Sequence, residues 1–151
     1  MKKILGLVAS LTIISGVCAA VLAYVDSITK EPIKLTAEKN REAARAAVLC
    51  GEEGYTAEGV CRDGYGGDIV LMVGFKKDKK TVISYKVLAA TETPGLGMKL
   101  KTPEFADQFK GKDGTALKVK KDGGTIEAIT SATITSRAVC KAVADAQSKL
   151  K

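Results

Sequence analysis

A cluster of side-chain hydroxyls near the end of the chain is the feature of the sequence best suited to chemistry. Thr130, Ser131, Thr133 and Thr135 stand within ITSATITSRAVCKAV (residues 129–143), which passes from a strand-like pattern into a helical one. A helix that begins here would point unpaired backbone N–H groups, and the positive end of its dipole, at whatever lies beside Thr133. Such a position can bind a phosphate group. The alternative is an ordinary helix cap, for which serine and threonine are commonly used.

The composition excludes most conventional active sites. The 151-residue chain contains no histidine, which removes histidine acid–base catalysis, Ser-His-Asp hydrolysis and nearly all ordinary zinc or copper sites. The net charge is +7, but the lysines are scattered and only 5% of the residues are aromatic, so the sequence does not predict nucleic-acid binding. The four cysteines lack metal-binding spacing. Cys50 and Cys61 can form a disulfide outside the cytoplasm or remain thiols, and the sequence leaves both open.

The N-terminal segment is suited to a membrane. An uncharged apolar run over residues 4–25 follows Lys2 and Lys3 and ends at Asp26. At helical rise this run covers about 33 Å, enough to cross the hydrocarbon core of a bilayer. We expect residues 1–25 to be an uncleaved anchor, with a cleaved signal peptide as the alternative. The positive-inside rule then places the rest of the chain on the extracytoplasmic side of the inner or plasma membrane.

The elements that must position the hydroxyl cluster predict one α+β domain over residues 36–151, reached through a connector at 26–35 that contains Pro32. Residues 51–67 are rich in glycine and predict a loop or a ragged strand. An apolar stripe of Val139, Val143, Ala146 and Leu150 predicts that the last helix packs on a core. The other predicted elements are a helix at 37–50, a β-hairpin of strands at 69–75 and 81–92, a short helix starting at 102–104 with Phe105 and Phe109 on one face, and two strands at 117–120 and 125–129.

Two motifs, ETPGLG at residues 92–97 and EAITSATITS at 127–136, together resemble the FMN-binding domain family. That family includes the G subunit of Rnf-type ion-translocating ferredoxin:NAD oxidoreductases and the C subunit of the sodium-translocating NADH:quinone reductase. The resemblance covers nearly the whole chain, and SATITSRAVCKAV is more similar to the Rnf G subunit. It implies a single transmembrane helix followed by an antiparallel sheet with helices that binds FMN.

In that family FMN is attached through a phosphoester to the last threonine of a motif resembling D-x-x-S/T-G-A-T, and a flavin transferase installs it from FAD. The resemblance implies that Thr133 is the attachment residue and that each chain carries one FMN. Glu127 stands at the usual Asp position and Ser131 at the usual Gly position, which are two departures from the pattern. The further cofactor-binding residues that we expect are Glu92, Thr93, Leu96, Gly97, Ser131, Ala132, Ile134, Thr135 and Arg137.

These residues divide into a phosphate group and a ring group. A phosphate bonded to Thr133 would rest on the amides of residues 134–136, with Arg137 able to neutralise its charge. The ETPGLG turn would meet the isoalloxazine ring, because its glycines allow close approach of the backbone. There, Leu96 offers an apolar wall, and Glu92 and Thr93 can hydrogen-bond the ring edges.

The resemblance implies an electron-transfer subunit of a membrane translocase, with no catalytic turnover of its own, that relays electrons between other membrane subunits on the outer face. A flavin transferase would be its partner during maturation. One alternative is a stand-alone membrane-anchored flavoprotein that carries electrons outside the cytoplasm. Another is a non-redox tethered binding module in which Thr133 serves only as a helix cap.

Overall fold

The computed structural model describes residues 2–150, with side chains described for residues 4–150. The Lys2 and Lys3 side chains, on which the predicted membrane orientation depends, lie outside that range, as do Met1 and Lys151. The helices are α1 (Lys2–Leu49), α2 (Pro103–Ala106) and α3 (Thr133–Ser148), and the strands are β1 (Gly54–Cys61), β2 (Ile69–Lys76) and β3 (Val82–Ala90). Short 3-10 segments cover Gly97–Lys101, Asp107–Phe109 and Lys120–Asp122.

Helix α1 contributes to two compact units, residues 1–39 and residues 40–151. In the first unit it contains a segment long and apolar enough to cross a membrane, with a mean hydropathy of 2.3. The helix continues through Pro32, so the connector expected at residues 26–35 is helical, and the helix predicted at 37–50 is the last part of α1. A proline removes one backbone hydrogen bond, and the turns on either side of it keep theirs. The helix ends at Leu49, one residue before the end predicted from the sequence, where Cys50 and Gly51 both take positive φ angles (50° and 81°).

The second unit is built on a three-stranded antiparallel sheet in the order β1-β2-β3. The predicted hairpin of β2 and β3 is confirmed, and the glycine-rich segment before it contains β1, which pairs along the whole length of β2. Successive side chains of β2 point to opposite faces. Leu71, Val73 and Phe75 join the main core with α3, whereas Met72 packs against Val48 near the end of α1. The sheet is therefore covered on both faces.

The short helix beginning at Pro103 covers the sheet as predicted. Phe105 and Phe109 are both buried, and the ring of Phe109 meets the ring of Tyr85 edge-on, with centroids 5.2 Å apart. Such edge-to-face pairs contribute about 0.5–1.5 kcal/mol beyond the area that they bury. These contacts fix the segment that leads from the end of β3 back to the core.

The two strands predicted at 117–120 and 125–129 do not form. In the part of the chain that the structure describes, these segments share only an isolated parallel bridge between Val119 and Ile126. In this bridge the Lys120 amide donates to the Ile126 carbonyl (2.7 Å), and the Ile126 amide donates to the Lys118 carbonyl (3.1 Å). A 3-10 turn with Gly123 at φ 78° connects them. The alternating pattern is therefore local: it buries Val119 and Ile126 without extending the sheet.

The alternatives that the sequence left open for Cys50 and Cys61 are resolved in favour of thiols. Cys50 lies against Ser84 on the face covered by α1, with its sulfur 4.0 Å from the Ser84 hydroxyl. Cys61 is buried in the main core on the opposite face, at the far end of β1. The two thiols are separated by the sheet and by roughly 16 Å along the strand, too far for a disulfide.

Candidate functional site

A cavity of about 510 Å³ lies where three segments of the second unit meet. The register places the end of β1, the start of β2 and the end of β3 side by side. The loops that follow β1 and β3 therefore leave the sheet at the same end of its strands. The N-terminus of α3 closes the third side. The residues that line the cavity are Tyr65, Glu92, Thr93, Leu96, Gly97, Ser131, Ala132, Thr133, Ile134 and Thr135.

The first turn of α3 lacks a cap. The helix begins at Thr133, and the residue before it is Ala132, whose side chain has no hydrogen-bonding atom and whose backbone (φ −133°, ψ 47°) departs from the extended conformation typical of caps. Among the described residues, no group accepts a hydrogen bond from the amides of Thr133, Ile134 or Thr135. Three donors and the positive end of the helix dipole are thus available to an anion.

The Ser136 amide is not available to a phosphate, which corrects the expectation that the amides of residues 134–136 would bind it. Its amide donates to the Ala132 carbonyl (3.0 Å), and its hydroxyl donates to the same carbonyl (2.9 Å) and accepts from the Ile129 amide (2.9 Å). The side chain is completely buried. The amides open to an anion are therefore those of residues 133–135 rather than 134–136.

Ser131 holds the chain in a left-handed conformation immediately before the helix. Its φ is 61°, a region that non-glycine residues visit at a cost of about 1–2 kcal/mol. This explains in physical terms why a glycine is usual at this position of the motif that the sequence resembles. Serine is small and polar and supports the same turn, and its side chain stays exposed beside the cavity.

A buried hydrogen bond joins the β3 side of the cavity to the helix. The Thr135 hydroxyl donates to Glu92 Oε2 at 2.9 Å, and both side chains are buried, at 1% and 7% exposure. The other oxygen, Oε1, accepts from the Gly66 amide at 3.3 Å. Gly97 packs directly on this pair, since a Cβ there would lie 2.5 Å from Glu92 Oε2 and 3.0 Å from Thr135 Oγ1. Both carboxylate oxygens of Glu92 therefore bond to the walls of the cavity, and the contact of Glu92 with a ring edge stays a prediction.

The mouth of the cavity is apolar. Leu96 and Ile134 project beside it, and Tyr65 from the loop after β1 completes the rim. Tyr65 was missed from the sequence, because a tyrosine between glycines indicates only a loop until the register shows where that loop lies. An anion held at the helix end and a flat apolar group held at the rim are what this cavity can bind together.

Nine of the ten predicted cofactor-binding residues line this one cavity, and Arg137 does not. Its guanidinium makes two hydrogen bonds to Asp122, at 2.7 and 2.6 Å, on the other side of the helix start. The same contact lowers the pKa of Asp122 below its usual value. The charge-neutralising role predicted for Arg137 has no support from this geometry. Glu127, at the acidic position of the motif, is exposed and pairs with Lys120 (3.0 Å).

Comparison with known proteins agrees with this architecture. Residues 64–148, more than half of the chain, match the family model of the FMN-binding domain. The G subunit of the ion-translocating oxidoreductase complex of Methanosarcina acetivorans is 31% identical over 175 aligned positions, which cover 94% of this chain and 92% of that protein. The G subunit of the proton-translocating ferredoxin:NAD(+) oxidoreductase complex of Clostridium ljungdahlii is 46% identical over 86 positions, but the match spans only 46% of that protein.

A solved structure shares the fold. The C subunit of the Na(+)-translocating NADH-quinone reductase from Parabacteroides distasonis superposes with a TM-score of 0.54 at 26% identity, covering 69% of this chain and 58% of that one. The predicted α+β class, an antiparallel sheet with helices after an N-terminal apolar helix, is confirmed. With the family model matched over residues 64–148 and the Methanosarcina acetivorans protein matched along most of its length, the chain belongs to the FMN-binding domain family.

Proposed function

We propose that this chain carries one FMN, joined to Thr133 by a phosphoester, and relays electrons as a subunit of a membrane ion-translocating oxidoreductase complex of the Rnf type. The observation that carries the proposal is the uncapped first turn of α3, which lines the same cavity as an apolar rim. The relatives named as G subunits of ion-translocating complexes support the assignment to a complex. The bound flavin would supply the redox chemistry, and the chain would hold and orient it.

The choice of Thr133 follows from what the neighbouring hydroxyls already do. Thr135 donates to Glu92 and is buried, and Ser136 is bonded twice to the backbone. Thr130 is exposed but lines a different cavity, together with Glu127. Thr133 and Ser131 both line the main cavity with accessible side chains, and Thr133 alone belongs to the helix whose amides would bind the phosphate.

Attachment requires a flavin transferase that uses FAD. The Thr133 oxygen would form a bond to the phosphorus on the FMN side, the phosphoanhydride bond of FAD would break, AMP would leave, and the hydroxyl proton would be released. The open amides of residues 133–135 would stabilise the negative charge of the phosphate oxygens. No redox partner is needed for this step, because neither the flavin nor the threonine is oxidised.

The test is to express the full chain with and without a flavin transferase and to look for flavin fluorescence in the denatured band on a gel. We expect fluorescence only with the transferase, its loss in Thr133→Ala, and its retention in the matched control Thr130→Ala. Ser131→Ala tests the second accessible hydroxyl and should also stay fluorescent. A dark wild-type band with the transferase present would refute covalent attachment, and a bright Thr133→Ala band would refute the site.

Partner subunits and membrane sidedness belong to the same proposal. Membranes solubilised in mild detergent should yield this chain together with other membrane subunits, whereas recovery of the chain alone would favour the stand-alone flavoprotein. Cys18 lies within the apolar run of residues 4–25, and of the cysteines in the second unit Cys50 is exposed while Cys61 and Cys140 are buried, so Cys50 reports the position of the domain. A membrane-impermeant maleimide should label intact cells through Cys50 and should fail in Cys50→Ser. Labelling that appears only after lysis would refute an extracytoplasmic domain.

A further inference from the structure

Exposed apolar side chains in the second unit are concentrated at one place. Among the described residues of that unit, four large apolar side chains are more than a third exposed: Tyr65 (71%), Ile134 (49%), Tyr55 (46%) and Leu96 (42%). Three of the four line the cavity, and only Tyr55, on β1, lies away from it. Scattered exposed apolar groups need no explanation, but a cluster around one cavity is typical of a ligand site.

The loop that carries Tyr65 is held tightly against the end of β3. The Gly66 amide donates to Glu92 Oε1, and the Gly66 backbone lies so close to Thr91 that any Cβ would overlap the Thr91 carbonyl oxygen. A Cβ on Gly64 would lie 2.9 Å from the same Glu92 oxygen. Glycines on both sides of Tyr65 therefore allow a close approach that fixes the backbone from which the Tyr65 ring projects.

We propose that Tyr65 is a further flavin-contacting residue whose phenol ring stacks on the isoalloxazine, and that Glu92 positions it by holding its loop. This inference rests on the proposed function and extends it to a residue outside the two sequence motifs. The reason is that Tyr65 offers the one aromatic surface among the residues that line the cavity, alongside the aliphatic side chains of Leu96 and Ile134. An offset aromatic stack contributes more than its buried area alone.

Native flavin fluorescence provides the test, using the full chain loaded by a flavin transferase. A phenol in contact with an excited flavin donates an electron to it and takes the electron back as the ring relaxes, so emission is quenched. The ratio of native to denatured emission measures this contact independently of how much FMN is attached. We expect a low ratio for wild type, a severalfold higher ratio for Tyr65→Ala, and no change for the matched control Tyr55→Ala.

Two further variants separate the ring from its loop. Gly66→Ala should displace the loop from Thr91 and raise the ratio with Tyr65 still present. In a Thr133→Ala background, where FMN can bind only non-covalently, Tyr65→Ala should weaken FMN binding roughly two- to tenfold while Tyr65→Phe keeps most of the affinity. Tyr65→Phe in the loaded chain should still raise the emission ratio, because phenylalanine stacks but does not donate an electron.

The outcomes distinguish this inference from the proposed function. Absence of flavin in the denatured wild-type band would overturn both. Equal flavin in every denatured band, with native emission unchanged by Tyr65→Ala, would overturn the Tyr65 contact and leave FMN attachment standing. Unchanged emission together with loss of co-purifying subunits in Tyr65→Ala would assign the apolar rim to a partner protein, and would also overturn the contact. If Gly66→Ala leaves the ratio of native to denatured emission unchanged, the contacts of Gly66 with Thr91 and Glu92 do not position Tyr65.

Discussion

The hydrogen bond between Thr135 and Glu92 is the interior link that holds the cavity together, and Thr135→Val removes it with little change of shape. The hydroxyl lies 2.9 Å from Glu92 Oε2, and both side chains are buried beneath Gly97. Valine replaces the hydroxyl with a methyl group, so no cavity opens, but a carboxylate oxygen loses its donor. Among the described residues, no buried side-chain nitrogen or oxygen lacks a partner, and this variant would create one.

The expected loss of unfolding free energy is about 1.5–3 kcal/mol, the usual range for a hydrogen bond to a charged group. With an m-value of about 2 kcal/mol per molar urea, typical of a small domain, the unfolding midpoint should fall by about 0.7–1.5 M. The surface control Thr130→Val should stay within about 0.5 kcal/mol of wild type, because Thr130 is exposed.

The measurement is urea unfolding of the full chain in detergent micelles, with the folded fraction determined by a brief pulse of protease. A double-mutant cycle with Glu92→Met, which keeps the length of the side chain but cannot accept a hydrogen bond from Thr135, isolates the pair, and its coupling energy should be at least about 0.5 kcal/mol. If Thr135→Val shifts the midpoint no more than Thr130→Val, or if the cycle shows no coupling, the buried link does not carry the stability that we assign to it.

Three shorter predictions concern Ser131, Gly97 and the cysteines. Ser131→Gly should raise the free energy of unfolding by about 0.5–1 kcal/mol, because relief of the positive φ exceeds the entropic cost of glycine; a loss of stability would contradict the strain. Gly97→Ala should cost about 1–3 kcal/mol and reduce FMN loading, since its Cβ would lie 2.5 Å from Glu92 Oε2; unaltered stability and loading would refute this close packing. Burial raises the pKa of Cys140 to about 12, so in native protein at pH 8 a maleimide should label Cys50 and spare Cys140 until urea unfolds the domain.

The hairpin could be predicted from the sequence, whereas the pattern of the third strand left a loop and a ragged strand both open. The pattern of β2 and β3 is local: one apolar run, a charged turn and a second strand with alternating faces. In β1 the glycines indicate a loop, yet they are there for packing. A Cβ on Gly59 would overlap the Ala142 carbonyl of α3, and one on Gly54 would overlap the Phe75 carbonyl. Glycine in a strand can mark a close approach of another backbone, and that approach becomes visible only in the folded chain.

In the candidate site, too, the features with a local sequence pattern could be predicted and the others could not. Thr133 and the ETPGLG turn lie beside one cavity, and each belongs to a continuous stretch with a local reason to start a helix or a turn. Contacts of side chains with residues distant in the sequence could not be predicted. Arg137 forms a hydrogen bond with Asp122, fifteen residues earlier in the chain. Tyr65 lies beside the cavity only because β1 and β3 end side by side at the same end of the sheet.

The open end of α3 also explains why a covalent bond would be useful here. Placing a phosphate at a helix N-terminus contributes about 0.3–2 kcal/mol, at most a roughly thirtyfold gain in affinity. The cavity adds an apolar rim of three side chains, but among the described residues that line it there is no lysine or arginine to pair with the phosphate. Arg137, the nearest basic residue along the helix, is bound to Asp122. Non-covalent contacts of this kind orient a phosphate better than they retain it. A phosphoester on Thr133 would retain the cofactor permanently and leave the weak contacts to set the position of the ring.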